Sequence, residues 1–77
     1  MMIQEHDNVV LTTDLPSSHL EAGDIGVVVH VYENGKAYEV EFLAFDGNTI
    51  AIATLDPTQV RPVRPLEIPH VRKIDAA

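Results

Sequence analysis

The segment GVVVHVYENGKAYEVEF, residues 26–42, is dense in β-branched residues before Asn34-Gly35 and alternates apolar with polar positions after it. Alternation with a period of two marks a strand with one face buried. Asn-Gly is the dipeptide that best tolerates positive φ at both centres of a type I′ hairpin turn. Counting outward from a two-residue turn pairs Tyr32 with Ala37, His30 with Glu39, Val29 with Val40, Val28 with Glu41 and Val27 with Phe42. This register sends Val27, Val29, Val31, Tyr38, Val40 and Phe42 to the core. It leaves Val28, His30, Glu39 and Glu41 on the outer face.

The same reasoning predicts the other elements. Val9, Val10 and Leu11 with two threonines form a first strand over residues 8–13, closed by a Pro-Ser-Ser group. Residues 14–24 form a long ordered loop, with Leu15, Leu20 and Ala22 available to pack it down. Asp46-Gly47 turns a second hairpin into a strand over residues 49–55. A two-residue loop there sets Leu43 opposite Ile50 and Phe42 opposite Ala51, whereas a three-residue loop with a bulge sets Leu43 opposite Ala51. Asp56-Pro57 is an N-cap followed by proline at the first helical position, enough for one 3₁₀ turn before a short strand at Val60–Val63. Pro62 confines that strand to an edge or an end. Beyond it, Pro65 and Pro69 interrupt an alternation of Leu66, Ile68, Val71 and Ile74, which predicts an extended, partly docked tail.

Strand, long loop, strand, tight hairpin, strand, tight hairpin, strand, 3₁₀ turn and short strand follow one another in the order of an SH3-like barrel. The expected fold is therefore all-β, a small five-stranded SH3-like barrel over residues 1–63 with one 3₁₀ turn and an extended C-terminal tail over 64–77. AGDIGVVV, YEVEF and the closing VRPV also resemble a bacterial family of short proteins known as domain of unknown function 4926, over about residues 7 to 63. The resemblance implies the barrel and carries over no catalytic residue. A wider similarity is to KOW-type SH3-like modules, in which a segment such as Gly23-Asp24-Ile25-Gly26-Val27 leads from the long loop into the second strand. Gly23 is expected to take a positive φ, Asp24 to accept backbone hydrogen bonds, and Gly26 to leave room where the strand bends.

Length and charge narrow the function classes. Seventy-seven residues without cysteine allow one small domain with neither a disulfide nor a cysteine-bound zinc. No signal peptide and no membrane-spanning stretch is visible, so a cytoplasmic setting is expected. Twelve acidic against five basic residues give a net charge of −7, which repels nucleic-acid backbones. The imbalance is uneven: residues 1–60 hold ten acids and only Lys36, while Arg61, Arg64, Arg72 and Lys73 all lie in the last seventeen residues. That basic segment either lies on the acidic body or reaches a separate acidic partner.

Candidate chemistry is sparse. Gly23 and Gly26 precede a valine strand, not a helix whose N-terminus could hold phosphate. His6, His19, His30 and His70 lack metal-ligand spacing, and His30 reads better as the cross-strand partner of Glu39. Glu39, Glu41, Thr12, Thr13, Ser17 and Ser18 have no base and orienting group to make a nucleophile among them. Aromatics at 5% and no tryptophan argue against a polyproline groove, although Tyr32 is available. Neither enzyme activity nor a cofactor or metal is expected. The outer face carrying Val28, His30, Tyr32, Glu39 and Glu41 is the candidate contact for a protein partner with a basic surface. In one version of this reading the acidic chain is an inhibitor or antitoxin-like protein that masks the basic surface of a toxin or nuclease. Self-association through a strand edge is a further expectation. The alternative is a nucleic-acid- or ribosome-associated module contacting its target through Arg61, Arg64, Arg72 and Lys73.

Overall fold

The computed structural model describes residues 2–74. Five antiparallel strands form one sheet: β1 (Asn8–Leu11), β2 (Ile25–Tyr32), β3 (Ala37–Leu43), β4 (Thr49–Leu55) and β5 (Val60–Pro62). The strand order across the sheet is β4-β3-β2-β1-β5. The expected all-β fold and strand sequence are present, but the sheet is not closed by hydrogen bonds, and β4 and β5 remain its two edges. A single cluster of Val9, Leu11, Leu20, Val28, Tyr38, Val40, Phe42, Leu55 and Val60 draws on every strand and on the long loop. One core shared by first, middle and last strands requires the sheet to curl around it, as the right-handed twist of strands favours.

The single 3₁₀ turn is not where the sequence placed it. It spans Pro16–Ser18 in the long loop, bracketed by the Leu15–Leu20 bridge, and Leu20 is buried beneath it. At the expected site Asp56 does act as a cap: its carboxylate accepts from the Thr58 N–H at 2.8 Å, and the Gln59 side chain accepts from the Asp56 N–H at 3.0 Å. Those reciprocal bonds complete a tight turn at once, and β5 begins before a 3₁₀ turn develops. β1 stops at Leu11 rather than residue 13, because the Thr12 N–H and hydroxyl turn to the Gln59 and Thr58 carbonyls.

The first hairpin keeps the expected register only near its turn. Tyr32 faces Ala37, Val31 faces Tyr38 and His30 faces Glu39, but a bulge at Val29 then sets Val28 opposite Val40 and Val27 opposite Glu41. The turn also differs, since positive φ falls on Glu33, Asn34 and Gly35, and the Gly35 and Lys36 N–H groups both donate to the Tyr32 carbonyl. The bulge reverses the valines. Val28 is fully buried against Val40, while Val29 is 39% exposed and Val27 is half-buried. Its cause is the double duty of β2. At Val28 the strand's far edge is taken by the N-terminal segment, with the Val28 N–H donating to Asp7 and the His6 N–H donating to Val28. An extra residue twists the strand between two sets of partners.

The second hairpin combines the two alternatives. Phe45-Asp46-Gly47 form a three-residue loop closed by the Ala44 N–H to Asn48 carbonyl bond, with φ of +92° at Gly47. A bulge on β4 then restores the Phe42–Ala51 pairing of the shorter loop. Gly26 marks a close approach in the core. A Cβ there would lie 2.5 Å from Val40 Cγ1 and 2.9 Å from Phe42 Cε1, so only glycine lets β2 cross these side chains.

Candidate functional site

The outer face of β2, β3 and β4 holds most of the residues expected to meet a partner. Glu39 and Glu41 alternate along β3 opposite Thr54 and Ile52 of β4. The Thr54 hydroxyl donates to Glu39 Oε1 at 2.5 Å, the Tyr32 hydroxyl reaches the same oxygen at 3.4 Å, and the Thr49 hydroxyl donates to Glu41 at 2.6 Å. Each carboxylate is thus oriented by a neighbouring strand. Among the described residues neither glutamate makes an ion pair. His30 lies across from Glu39 in the register, yet its ring packs edge-on against Tyr32 with centroids 4.5 Å apart, and the carboxylate takes its hydrogen bonds elsewhere. Val28 does not belong to this face. It lies in the core, and the bulge brings Val27 outward with Val29 beside it. Ile52, 57% exposed opposite Glu41, was missed. Its position opposite Glu41 depends on the second hairpin's register, which the sequence left open.

The four basic residues of the C-terminal segment do not share one surface. Arg61 makes a two-pronged pair with Glu67, at 2.9 and 2.6 Å. The Arg61 guanidinium and the Arg64 N–H hold the Glu67 carboxyl down to about 2. Arg72 reaches back across the fold. Its Nε and Nη2 donate to the two oxygens of Asp24 at 2.8 and 2.5 Å, and Nη2 also donates to the His19 carbonyl. Partial burial pushes the Asp24 pKa up, but the Arg72 hydrogen bonds, the Glu21 N–H and the Arg72 charge outweigh it and leave it below the usual carboxylate range. Asp24 therefore has the turn role expected of it, accepting from the Glu21 N–H at 2.8 Å beside Gly23 at φ +99°, and a second role that was not foreseen. Arg64 and Lys73 are exposed and make no ion pair among the described residues.

A groove of about 430 Å³ lies between β2–β3 and the tail, lined by Ile25, Phe42, Phe45 and Val71, with Asp24 and Arg72 in its wall. Its walls are mainly apolar, its charged pair is internally satisfied, and His70 also lines it. No three His, Asp or Glu side chains converge as metal ligands among the described residues. No helix among them is long and apolar enough to cross a membrane.

A family model described as a domain of unknown function (DUF4926) matches residues 5–62. The chain belongs to the DUF4926 family. The match ends at Pro62, so the β-sheet is the DUF4926 domain and the tail carrying Arg64, Arg72 and Lys73 follows it. It does not show the wider likeness to KOW-type modules. No curated protein and no solved structure matches the chain.

Proposed function

We propose that this DUF4926 chain is a non-enzymatic protein-interaction module whose outer β2–β3–β4 face binds a basic protein. One observation carries the reading: Glu39 and Glu41 are oriented on that face by Thr54, Tyr32 and Thr49 hydroxyls, and among the described residues neither makes an ion pair. A partner lysine or arginine meets carboxylates already held in place, which reduces the ordering cost of binding. Complementary charge steers the encounter and discriminates against acidic partners. Tyr32 and Ile52, both exposed, add apolar contact area on the strands flanking the charges. A masking role, as an inhibitor or antitoxin-like protein covering the basic surface of a toxin or nuclease, is the form this chemistry suits, in the cytoplasmic setting expected for the chain.

Nucleic-acid binding is the less supported alternative. Arg61 and Arg72 are committed to Glu67 and Asp24, which leaves Arg64 and Lys73 as the exposed cations of the proposed contact.

The test compares the immobilised wild-type chain with its Glu39→Gln/Glu41→Gln variant for capture from native lysate at low salt and at about 0.5 M salt. A basic protein retained by the wild type, released by salt and missed by the variant is the expected result. A partner held equally by both chains and indifferent to salt refutes the outer face as the site.

A further inference from the structure

The two edges of the sheet are protected very differently. β5 has three residues, including Arg61 and Pro62, and short length, charge and proline are the usual means by which proteins blunt an exposed edge. β4 has none of them. Its sequence, Thr-Ile-Ala-Ile-Ala-Thr-Leu, is seven residues long with neither charge, proline nor glycine, the composition that pairs most readily with another strand. Its outer edge carries no strand, and no backbone hydrogen bond outside the ladders involves residues 49–55 among the described residues. Alternate N–H and C=O groups along β4 therefore point away from β3 toward a position that no described strand occupies.

We infer that β4 accepts an extended segment of a basic partner as a sixth strand, its lysines or arginines lying over the outer face toward Glu39 and Glu41. The inference rests on the reading of that face as the contact for a basic protein and adds how the partner is held. Main-chain bonds along β4 supply affinity, and alternate side chains supply specificity. Thr54, Ile52 and Thr49 form the row between the incoming strand and the two glutamates. With neighbouring strands about 4.8 Å apart, the carboxylates lie within reach of a long basic side chain two strands away.

Charge decides between possible occupants. A second copy pairing β4 to β4 would set both pairs of glutamates on one continuous face, in chains each carrying −7. The chain's own basic tail is a poor strand, because Pro65 and Pro69 lack the N–H a ladder requires and Arg72 is tied to Asp24. A foreign basic segment meets neither objection.

The probe is a ten-residue peptide alternating valine and lysine, bound to the full chain, together with two versions N-methylated either on every valine or on every lysine. All three carry the same charge. In an added strand, one of these two sets of N–H groups faces β4. One methylated peptide should therefore bind at least about tenfold more weakly than the parent while the other stays within about threefold. Hydrogen exchange of the fast β4 amides should slow when the parent binds. Equal binding by all three peptides overturns the sixth strand while leaving the acidic face intact, and absence of parent binding at low salt overturns it as well. Loss of binding in Glu39→Gln/Glu41→Gln supports the outer face, whereas unchanged binding with retained sensitivity to methylation refutes that face and keeps only the edge. Protection of β4 that rises with protein concentration in the free chain assigns the edge to a second copy and overturns the inference.

Discussion

Replacing Val28 and Val29 by alanine, one at a time, separates the bulged register from the regular one. In the structure Val28 is fully buried against Val40, whereas Val29 is 39% exposed at the bulge. Alanine at position 28 removes two buried methyl groups. Their transfer to water costs about 1.6 kcal/mol at ~0.8 kcal/mol each, and the small cavity left in a shared core raises the total to about 2–3 kcal/mol. Alanine at position 29 removes methyl groups that are partly solvated already, for a loss below about 1 kcal/mol. In a domain of this size each kcal/mol moves the melting temperature by about 4–8 °C. Val28→Ala should thus melt at least about 8 °C below wild type and Val29→Ala within a few degrees of it. Urea unfolding followed by circular dichroism should give the same order through the midpoint, with an unchanged slope. A regular hairpin reverses the expectation, since Val29 would then be the core residue. Equal losses, or a larger loss at position 29, would show that the bulge is not where the structure has it.

Gly26→Ala should cost about 1–3 kcal/mol, because its Cβ meets Val40 and Phe42 in a filled core. Combined with Val40→Ala it should cost less than the two single changes added together, and simple additivity by urea unfolding would contradict that close approach. Asp24 and Glu67 are held below their ordinary pKa values, so their contribution to stability is complete above those values and is lost as pH falls through the folded ones; for Glu67 the window runs from 4.5 down to about 2. Thermal melts across that range should fall less steeply for Glu67→Gln than for wild type, and superimposable profiles would argue against the Arg61–Glu67 pair. Arg72→Ala should speed proteolysis of the tail after Pro62 while leaving the barrel-like sheet resistant; unchanged cleavage would mean that Arg72 does not anchor it.

Much of this fold is legible in local pattern. Alternation along YEVEF assigns Tyr38, Val40 and Phe42 to the core, Gly23 marks its turn, and Asp56 its cap, because each depends on residues only a few positions apart. The candidate site was legible only in part. Glu39, Glu41, Tyr32 and His30 follow from alternation counted outward from the hairpin turn, whereas Val28 was misplaced and Ile52 missed. Both errors arise beyond a bulge. A one-residue shift moves every later side chain to the opposite face, and no residue in VVVHV announces it.

By itself, then, the sequence determined the order of the strands, the places where the chain turns between them, the acidic charge and the segregation of basic residues to the end. Tertiary structure alone decided which valine enters the core, because β2 must serve β1, the N-terminal segment and β3 together. It alone joined Arg72 to Asp24 across forty-eight positions, and it alone left β4 as the unguarded edge. Strand propensity and turn chemistry act over neighbouring residues, whereas bulges, ion pairs and edges are set where distant segments compete for the same hydrogen bonds and space.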